Sequence, residues 1–550
     1  MATLYGQLLK TYTMERQSLL SAYEVAYEFA VGKTLFKGIN AGINQGDKIA
    51  LIGANGVGKS TLLKILADKI QATSGLVVSN ASIYYLPQIS TISRENKDKD
   101  VLSFLGSVSD EWWEVTRILE SKLNTFLDLS MPVGSLSGGE ITKLFLAIGL
   151  CREPNILLLD EPTNHMDFWA LESLRAFLNE FSGAFVIVSH KPFFLDQVAN
   201  TTWELTAEGV NVYGGNFSLY KEQKEAKIKG TLRIHEAARK ELKRAKEVAL
   251  KEQKRAARSK REGRLQAFDG SMGKAAQHFF ANRASASAGR GATKHQAAIA
   301  QATQKLEESK IRKNKVTNIH LEEGSSKRGK SLIHIQGATL KIGAHALITN
   351  IHLHIAYGDR IAISGSNGAG KSSLIKAILG MGHETNPTSL DSGEVLVSQD
   401  MKVVYLDQNY DLLDREKTVL ENMQAANSSL DYQDLRQQLG NFLFLNDEVN
   451  KSVSVLSGGE LARLALAIVG ISEIDLLVLD EPSNNLDIET VERIVEALDE
   501  YQGALLVISH DLEFLSSINI TKAFKLKDKA LQSTAYLPNE TEQYYQELLY

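Results

Sequence analysis

The sequence is poor in several things, and each shortage excludes something. It has one cysteine, Cys151, in 550 residues, so no disulfide can form within the chain, which suits a reducing cytoplasm. Cys151 follows the apolar run Leu144 to Leu150, and a small core position is expected for it. No apolar run approaches the ~20 residues that a membrane span needs. Residues Met1 to Leu20 carry Lys10, Glu15 and Arg16 and lack a signal-peptide core; membrane insertion is therefore not expected. Proline is absent from Lys221 to Lys315, and acidic residues are few there: 26 Lys and Arg stand against 10 Asp and Glu, a local balance of +16. The whole chain carries −5, so the remainder carries −21. A basic, mostly polar insert thus divides an acidic chain whose 43% hydrophobic content supports several globular domains.

What is present is a repeated phosphate-binding pattern. Between Leu20 and Ile52, short apolar strands are broken by turns at Gly32-Lys33 and Gln45-Gly46-Asp47. Ile49 to Ile52 reads as a buried parallel strand. It runs into Gly53-Ala54-Asn55-Gly56-Val57-Gly58-Lys59-Ser60-Thr61 and then an apolar helix, Leu62 to Ile70. This is a P-loop in strand–loop–helix context. Its glycines let backbone amides curl around phosphate oxygens, and the helix adds the positive end of its dipole. Lys59 supplies charge to the β- and γ-phosphates, and Ser60 a hydroxyl to Mg²⁺. The same pattern recurs at Gly365-Ser366-Asn367-Gly368-Ala369-Gly370-Lys371-Ser372-Ser373.

The P-loops lie 312 residues apart, whereas Gln88 and Gln408, Ser137 and Ser457, Asp160 and Asp480, and His190 and His510 lie 320 apart. That is an internal duplication, with eight extra residues in the second copy around Met381 to Ser392. Each copy closes an apolar strand with an Asp-Glu pair, Asp160-Glu161 and Asp480-Glu481. A buried strand-end carboxylate beside a P-loop suits Mg²⁺, and the next carboxylate suits polarising an attacking water. His190 and His510 each close a further apolar strand. Leu-Ser-Gly-Gly-Glu occurs at 136–140 and 456–460; its Ser137, Gly138 and Gly139, and Ser457, Gly458 and Gly459, present amides at a helix start. Such a spare anion site makes sense if it caps the γ-phosphate of nucleotide held by the other copy.

In this order the motifs resemble the ATP-binding cassette family. Gln88 and Gln408 match its Q-loop, which adds them to the catalytic and metal-binding set of Ser60, Asp160, Glu161, His190, Ser372, Asp480, Glu481 and His510. Pro162 to Asp167 and Pro482 to Asp487 match its D-loop. The resemblance implies a head-to-tail sandwich with two ATP molecules. One would lie between the first P-loop and Ser457 to Gly459, the other between the second P-loop and Ser137 to Gly139. Adenine usually stacks on an aromatic: Phe29 is the candidate in copy one, and copy two has Leu340-Lys341-Ile342 there. Lys191 stands where the family generally has Asp, as at Asp511. Thr142-Lys143 replaces Ala462-Arg463. No long insertion lies between Gln88 and Leu136, so the extra arm of some members is absent or short. Tandem cassettes joined by a basic helical linker are similar to the ABC-F subfamily, as is the junction Tyr213 to Tyr220. That subfamily acts on ribosomes, where the linker approaches peptidyl-tRNA and the peptidyl-transferase centre.

Lys221 to Arg261 is rich in helix formers. Its sparse apolar set (Ile228, Leu232, Leu242, Ala249) fits one seam against a second helix from about Thr293 to Lys313, through Ala297, Leu306 and Ile311. The tip, about 268–291, holds Phe268, His278, Phe279, Phe280, Arg283 and Arg290. Cations for phosphate and aromatics for stacking suit RNA. Trp112-Trp113 is expected to be buried in a small helical subdomain.

The expected fold is α/β: two tandem P-loop nucleotide-binding domains, 1–219 and 329–550, joined by a long helical hairpin over 220–328. The expected function is a cytoplasmic, monomeric ATPase using ATP and Mg²⁺, acting on the ribosome with rRNA and tRNA as partners. A translation factor and an antibiotic-protection role are both compatible with this. A transporter motor is the alternative, and it gives no reason for the basic insert; a DNA-handling ATPase is a third reading.

Overall fold

The computed structural model describes residues 18–29, 32–88, 97–268, 293–309, 329–343, 345–381, 388–442, 444–484 and 486–550. In the first half, β1 (Ser18–Phe29) and β2 (Lys33–Asn44) form an antiparallel hairpin, extended by β4 (Ser74–Ser79). The P-loop strand β3 (Lys48–Ile52) belongs to a different sheet. That sheet runs in the order β5 (Ile83–Leu86), β6 (Ile156–Asp160), β7 (Ala184–Val188), β3, β8 (Thr201–Thr206) and β9 (Gly209–Gly214). All its pairings are parallel except β8 with β9. Every residue of β6 and β7 is buried, which is why these strands read as unbroken apolar runs. Because β6, β7 and β3 are neighbours and parallel, Asp160, His190 and the P-loop leave the same sheet edge together. That edge, at the carboxyl ends of the strands, is where open α/β sheets bind ligands.

The second half repeats the design. The hairpin β10 (Ser331–Ile342) and β11 (His345–Ala356) carries β13 (Thr388–Asp391) and β14 (Glu394–Val397) on β10. Its parallel-type sheet contains β12 (Arg360–Gly365), which leads into the second P-loop. The order is β15 (Val403–Leu406), β16 (Leu476–Asp480), β17 (Ala504–Ile508), β12, β18 (Lys522–Lys527) and β19 (Ala530–Ser533).

Two expectations fail in the helical region of the first half. The helix Trp112–Leu123 buries Val115, Ile118, Leu119 and Leu123. Trp112 extends that stripe and is half-buried, but Trp113 falls off it by one position and is 52% exposed. Cys151 is exposed rather than in the core: it caps the carboxyl end of the helix Gly138–Leu150, one residue past its buried run.

The chain divides into two compact units, Met1–Ser218 with Thr317–Tyr550, and Leu219–Val316. Both nucleotide-binding halves therefore lie in one unit. Within it the last helix, Thr541–Leu549, packs on the helix Phe168–Glu180 of the first half. Trp169 Nε1 donates to Leu549 O at 3.1 Å, and Tyr545 OH donates to Glu172 Oε2 at 2.5 Å. Phe168 also joins the apolar core of the second half.

In the other unit, the helix Phe217–Phe268 continues for 52 residues, a reach of ~78 Å at 1.5 Å per residue. A second helix covers residues 293–308. His235 Nδ1 meets Ser309 Oγ at 3.2 Å and Lys305 pairs with Glu241 at 3.0 Å, which fixes an antiparallel register. The seam matches the expected one in part, with Leu232 among the expected residues that are half-buried. Ile228 is 44% exposed and Ala297 is exposed; the buried contacts are Ala238, Ala302 and Ser309, with Leu242, Ala249 and Leu306 half-buried. Small side chains at the crossing let the helices approach closely. Ile311, His278, Phe279, Phe280, Arg283 and Arg290 lie outside the described residues, and Phe268 closes the long helix.

Candidate active site

Each P-loop turns into its helix through a glycine that a side chain would strain. Gly58 and Gly370 cap the following helices at φ +106° and +102°, a left-handed backbone that favours glycine. A Cβ on Gly58 would meet Leu35 Cδ2 at 2.6 Å, and one on Gly370 would collide with Leu347. The helix starts Lys59 and Lys371 are consequently presented inside their loops. Lys59 Nζ donates to Gly53 O at 2.8 Å and Ala54 O at 3.3 Å. Lys371 Nζ donates to Gly365 O at 2.7 Å and Ser366 O at 2.9 Å. Burial lowers the pKa of both ammonium groups, while the Glu161 and Glu481 carboxylates respectively oppose the shift most strongly.

The first loop borders a cavity of about 290 Å³ lined by Phe29, Leu35, Asn55, Gly56, Gly58, Lys59, Ser60, Thr61, Gln88, Glu161, Asn164 and His190. Ten of the expected first-site residues thus converge. Ser60 Oγ donates to Asp160 Oδ1 at 3.0 Å and Tyr85 OH to Asp160 Oδ2 at 3.0 Å. Burial raises the Asp160 pKa against those two hydrogen bonds. His190 Nε2 lies 2.7 Å from Glu161 Oε1. Glu161 and Glu481 hold φ +52° and +53°, a conformation costing about 1–3 kcal/mol in a non-glycine residue. Their N–H groups donate to Val188 O and Ile508 O at the ends of the neighbouring strands, at 3.1 and 2.8 Å, which holds each glutamate at the crevice.

The second set has the same parts in a different state. Tyr405 OH donates to Asp480 Oδ2 at 2.9 Å, but buried Asp480 Oδ1 has no partner. His510 comes to 3.4 Å from Glu481 Oε1 without hydrogen-bonding geometry, and both its ring nitrogens are unpartnered. Burial, with Lys371 and Lys191 nearby, holds the His510 pKa well below the usual range. Burial pushes Glu481 up to about 7, opposed by Lys191 and Lys371. Where Phe29 ends β1, the matching strand end carries Lys341, paired with Asp391 at 2.7 Å, and Ile342. Gln408 is exposed just past β15.

The two halves reach into each other's loops. Asn55 N donates to Asp487 Oδ2 at 3.0 Å, and Asn367 N donates to Asp167 Oδ2 at 3.0 Å. Asn367 Nδ2 also donates to His165 O at 2.7 Å. A Cβ on Gly459 would stand 3.6 Å from Asn55 Nδ2, which brings the second Leu-Ser-Gly-Gly-Glu to the first P-loop. Gly138 packs against His165, so the first copy of that motif reaches the second P-loop through His165. Ser137 and Ser457 start their helices with full capping boxes: Glu140 Oε2 accepts from Ser137 N and Oγ at 2.8 and 2.7 Å, and Glu460 repeats this. Tyr85 and Tyr405 belong to no motif that the sequence marks. Their 320-residue spacing was the signal that could have found them.

Among the described residues, no three His, Cys, Asp or Glu side chains converge to hold a metal. A hydroxyl, an amide oxygen and one carboxylate fit a hard cation that takes its other ligands from phosphate. The unpartnered Asp480 oxygen is consistent with such a role. A family model described as ABC transporter matches residues 36–164 and 348–484. The chain is 32% identical over 518 residues to the ATP-binding protein Uup of Haemophilus influenzae, covering 86% of this chain and 74% of that one. It is 30% identical over 516 residues to the ribosome protection protein VmlR of Bacillus subtilis, covering 92% and 86%. Its fold is similar to that of an archaeal ribosome recycling factor, aABCE1, solved with a ribosomal stalk protein: TM-score 0.62, 18% identity, 95% and 92% covered. The chain belongs to the ATP-binding cassette family and is an ATPase closely related to its F-subfamily members.

Proposed function

We propose that the chain binds two ATP molecules between its halves and uses their hydrolysis to engage and release the ribosome. The domain division is 1–219, 220–328 and 329–550, with the linker contacting rRNA and tRNA. The reading rests chiefly on one observation: two antiparallel helices, Phe217–Phe268 and 293–308, lie within a strongly basic stretch of sequence between two halves whose P-loops are each gripped by the opposite half. Relatives named for ribosome protection and ribosome recycling support it. Among the described residues no helix is long and apolar enough to cross a membrane; a transporter motor subunit would need none of its own, and the basic insert is what that reading leaves unexplained. The site of action is the cytoplasm, and the working unit is a monomer.

In the first site, Lys59 and the loop amides bind the phosphates, and Phe29 stacks on adenine. Ser457, Gly458 and Gly459 close over the γ-phosphate. Glu161, oriented by His190, polarises the attacking water and receives its proton as the γ-phosphorus–oxygen bond to ADP breaks. Ser60, Gln88 and Asp160 would hold Mg²⁺, which supplies charge neutralisation for the phosphates. Lys371, Ser372, Gln408, Asp480, Glu481 and His510 play the matching parts in the second site, with Ser137, Gly138 and Gly139 opposite.

The test is the double variant E161Q/E481Q. With ATP it should co-sediment with ribosomes at low salt and remain bound. Failure to co-sediment would remove the ribosome from the reading. ATPase stimulation by duplex DNA but not by ribosomes would replace it with the DNA reading.

A further inference from the structure

Most functional positions repeat 320 residues on, but Lys191 corresponds to Asp511. The backbones agree. Lys191 N–H donates to Ser189 Oγ at 3.2 Å, and Asp511 N–H to Ser509 Oγ at 3.0 Å. The side chains diverge. Asp511 caps its own helix by accepting from Phe514 N at 3.1 Å. Lys191 cannot accept; its helix opens with Pro192, which has no N–H needing a cap.

Released from capping, Lys191 is buried, with 9% exposure. Its Nζ donates to Met166 O at 3.4 Å. It lines a cavity of about 20 Å³ with Phe168 and Phe193 of its own half and His510, Asp511 and Tyr545 of the other. Burial lowers its pKa, while Glu481, Asp511 and Asp167 act to keep it charged. A buried ammonium is unfavourable unless opposite charges lie near it. Two of the three facing carboxylates belong to the opposite half. Met166 lies between His165 and Asp167, the two residues that grip Asn367 of the second P-loop.

We propose that Lys191 is a positioning residue for the second site. By holding the Met166 carbonyl from a position beside Asp511 of the opposite half, it keeps the His165–Asp167 loop closed on Asn367. In the matching place the first site has Asp511, an anion that hydrogen-bonds Ser483 of its own half and caps Phe514 N, where the second site has a cation. The halves are made unequal by one charge reversal. This inference rests on the two-site reading above.

The experiment isolates one site at a time. E161Q leaves the second site working, and E481Q leaves the first. Lys191→Met keeps the aliphatic stem and removes the charge. In the E161Q background it should lower kcat about tenfold with a smaller change in KM, and in the E481Q background both should stay within about twofold. Lys191→Arg should restore the loss. Equal losses in both backgrounds, no loss with E161Q, or failure of Arg to restore it at unchanged Tm would overturn the proposal. If E161Q alone hydrolyses nothing, the two-site hydrolysis reading fails separately. The tether is then read from E161Q/E481Q protein loaded with a fluorescent ATP analogue. There Lys191→Met should speed release of one of the two bound molecules about tenfold; equal release from both would overturn it.

Discussion

Phe29 ends β1 at the mouth of the first cavity with about half its surface exposed, 51%, as a platform for a base would require. Base stacking on an aromatic is worth about 1–3 kcal/mol. Phe29→Ala in the E481Q background should therefore raise KM for ATP about tenfold and leave kcat within about twofold. Steady-state kinetics checks this, and Ile342→Ala in the E161Q background should change KM far less. Glu481 gives a pH prediction. Its pKa rises from 4.5 to about 7 on folding, so the folded protein holds that proton more tightly. The stability so conferred is complete below about 4.5 and is lost as pH rises towards about 7. E481Q removes the ionisation. Without nucleotide, its Tm advantage over the unmodified chain should be absent at pH 4.5, grow to pH 7 and then level off. The gain is on the order of 3 kcal/mol at most; a pH-independent difference would contradict it. At this scale the sequence was informative wherever chemistry needs a fixed residue type, as at Lys59, Ser60, Asp160 and Glu161. It was uninformative where partners decide. The same serine precedes both histidines, yet His190 stands 2.7 Å from its glutamate while the His510 ring sits edge-on to Phe168 with centroids 5.1 Å apart.

Among the elements, the two signature helices begin with capping boxes that satisfy amides otherwise left open. Ser137→Ala should cost about 1 kcal/mol of stability, measured by denaturant unfolding without nucleotide, and Ser457→Ala about the same. The strands and P-loop helices were legible because buried parallel strands read as unbroken apolar runs. The linker seam was legible only in part, at Leu232, Leu242, Ala249 and Leu306. Its contacts use Ala238, Ala302, Ser309 and His235, residues with too little hydrophobic contrast to mark a stripe, so the larger Ile228 drew the expectation and is instead exposed. Trp113 misled for the opposite reason: its size suggested a core position, and its place on the helix denies it one.

For the whole molecule, the duplication was visible as offsets of 312 and then 320 residues, and with it both P-loops and the two six-stranded sheets that carry them. The basic insert carries the remaining expectation. Deleting residues 268–291 should leave ATPase activity without ribosomes within about twofold and abolish its stimulation by ribosomes. Undiminished stimulation would remove the tip from the mechanism. The docking of the last helix could not be read in advance, because Trp169 with Leu549 and Glu172 with Tyr545 are hundreds of residues apart and follow no period.

That docking of the last helix on Phe168–Glu180 passes through neither P-loop. Opening the sandwich then need not separate the two lobes, which can rock about a retained edge at high effective concentration. A protease that nicks the hairpin should leave two fragments that elute together from gel filtration, and Tyr545→Ala with Trp169→Ala should let them drift apart.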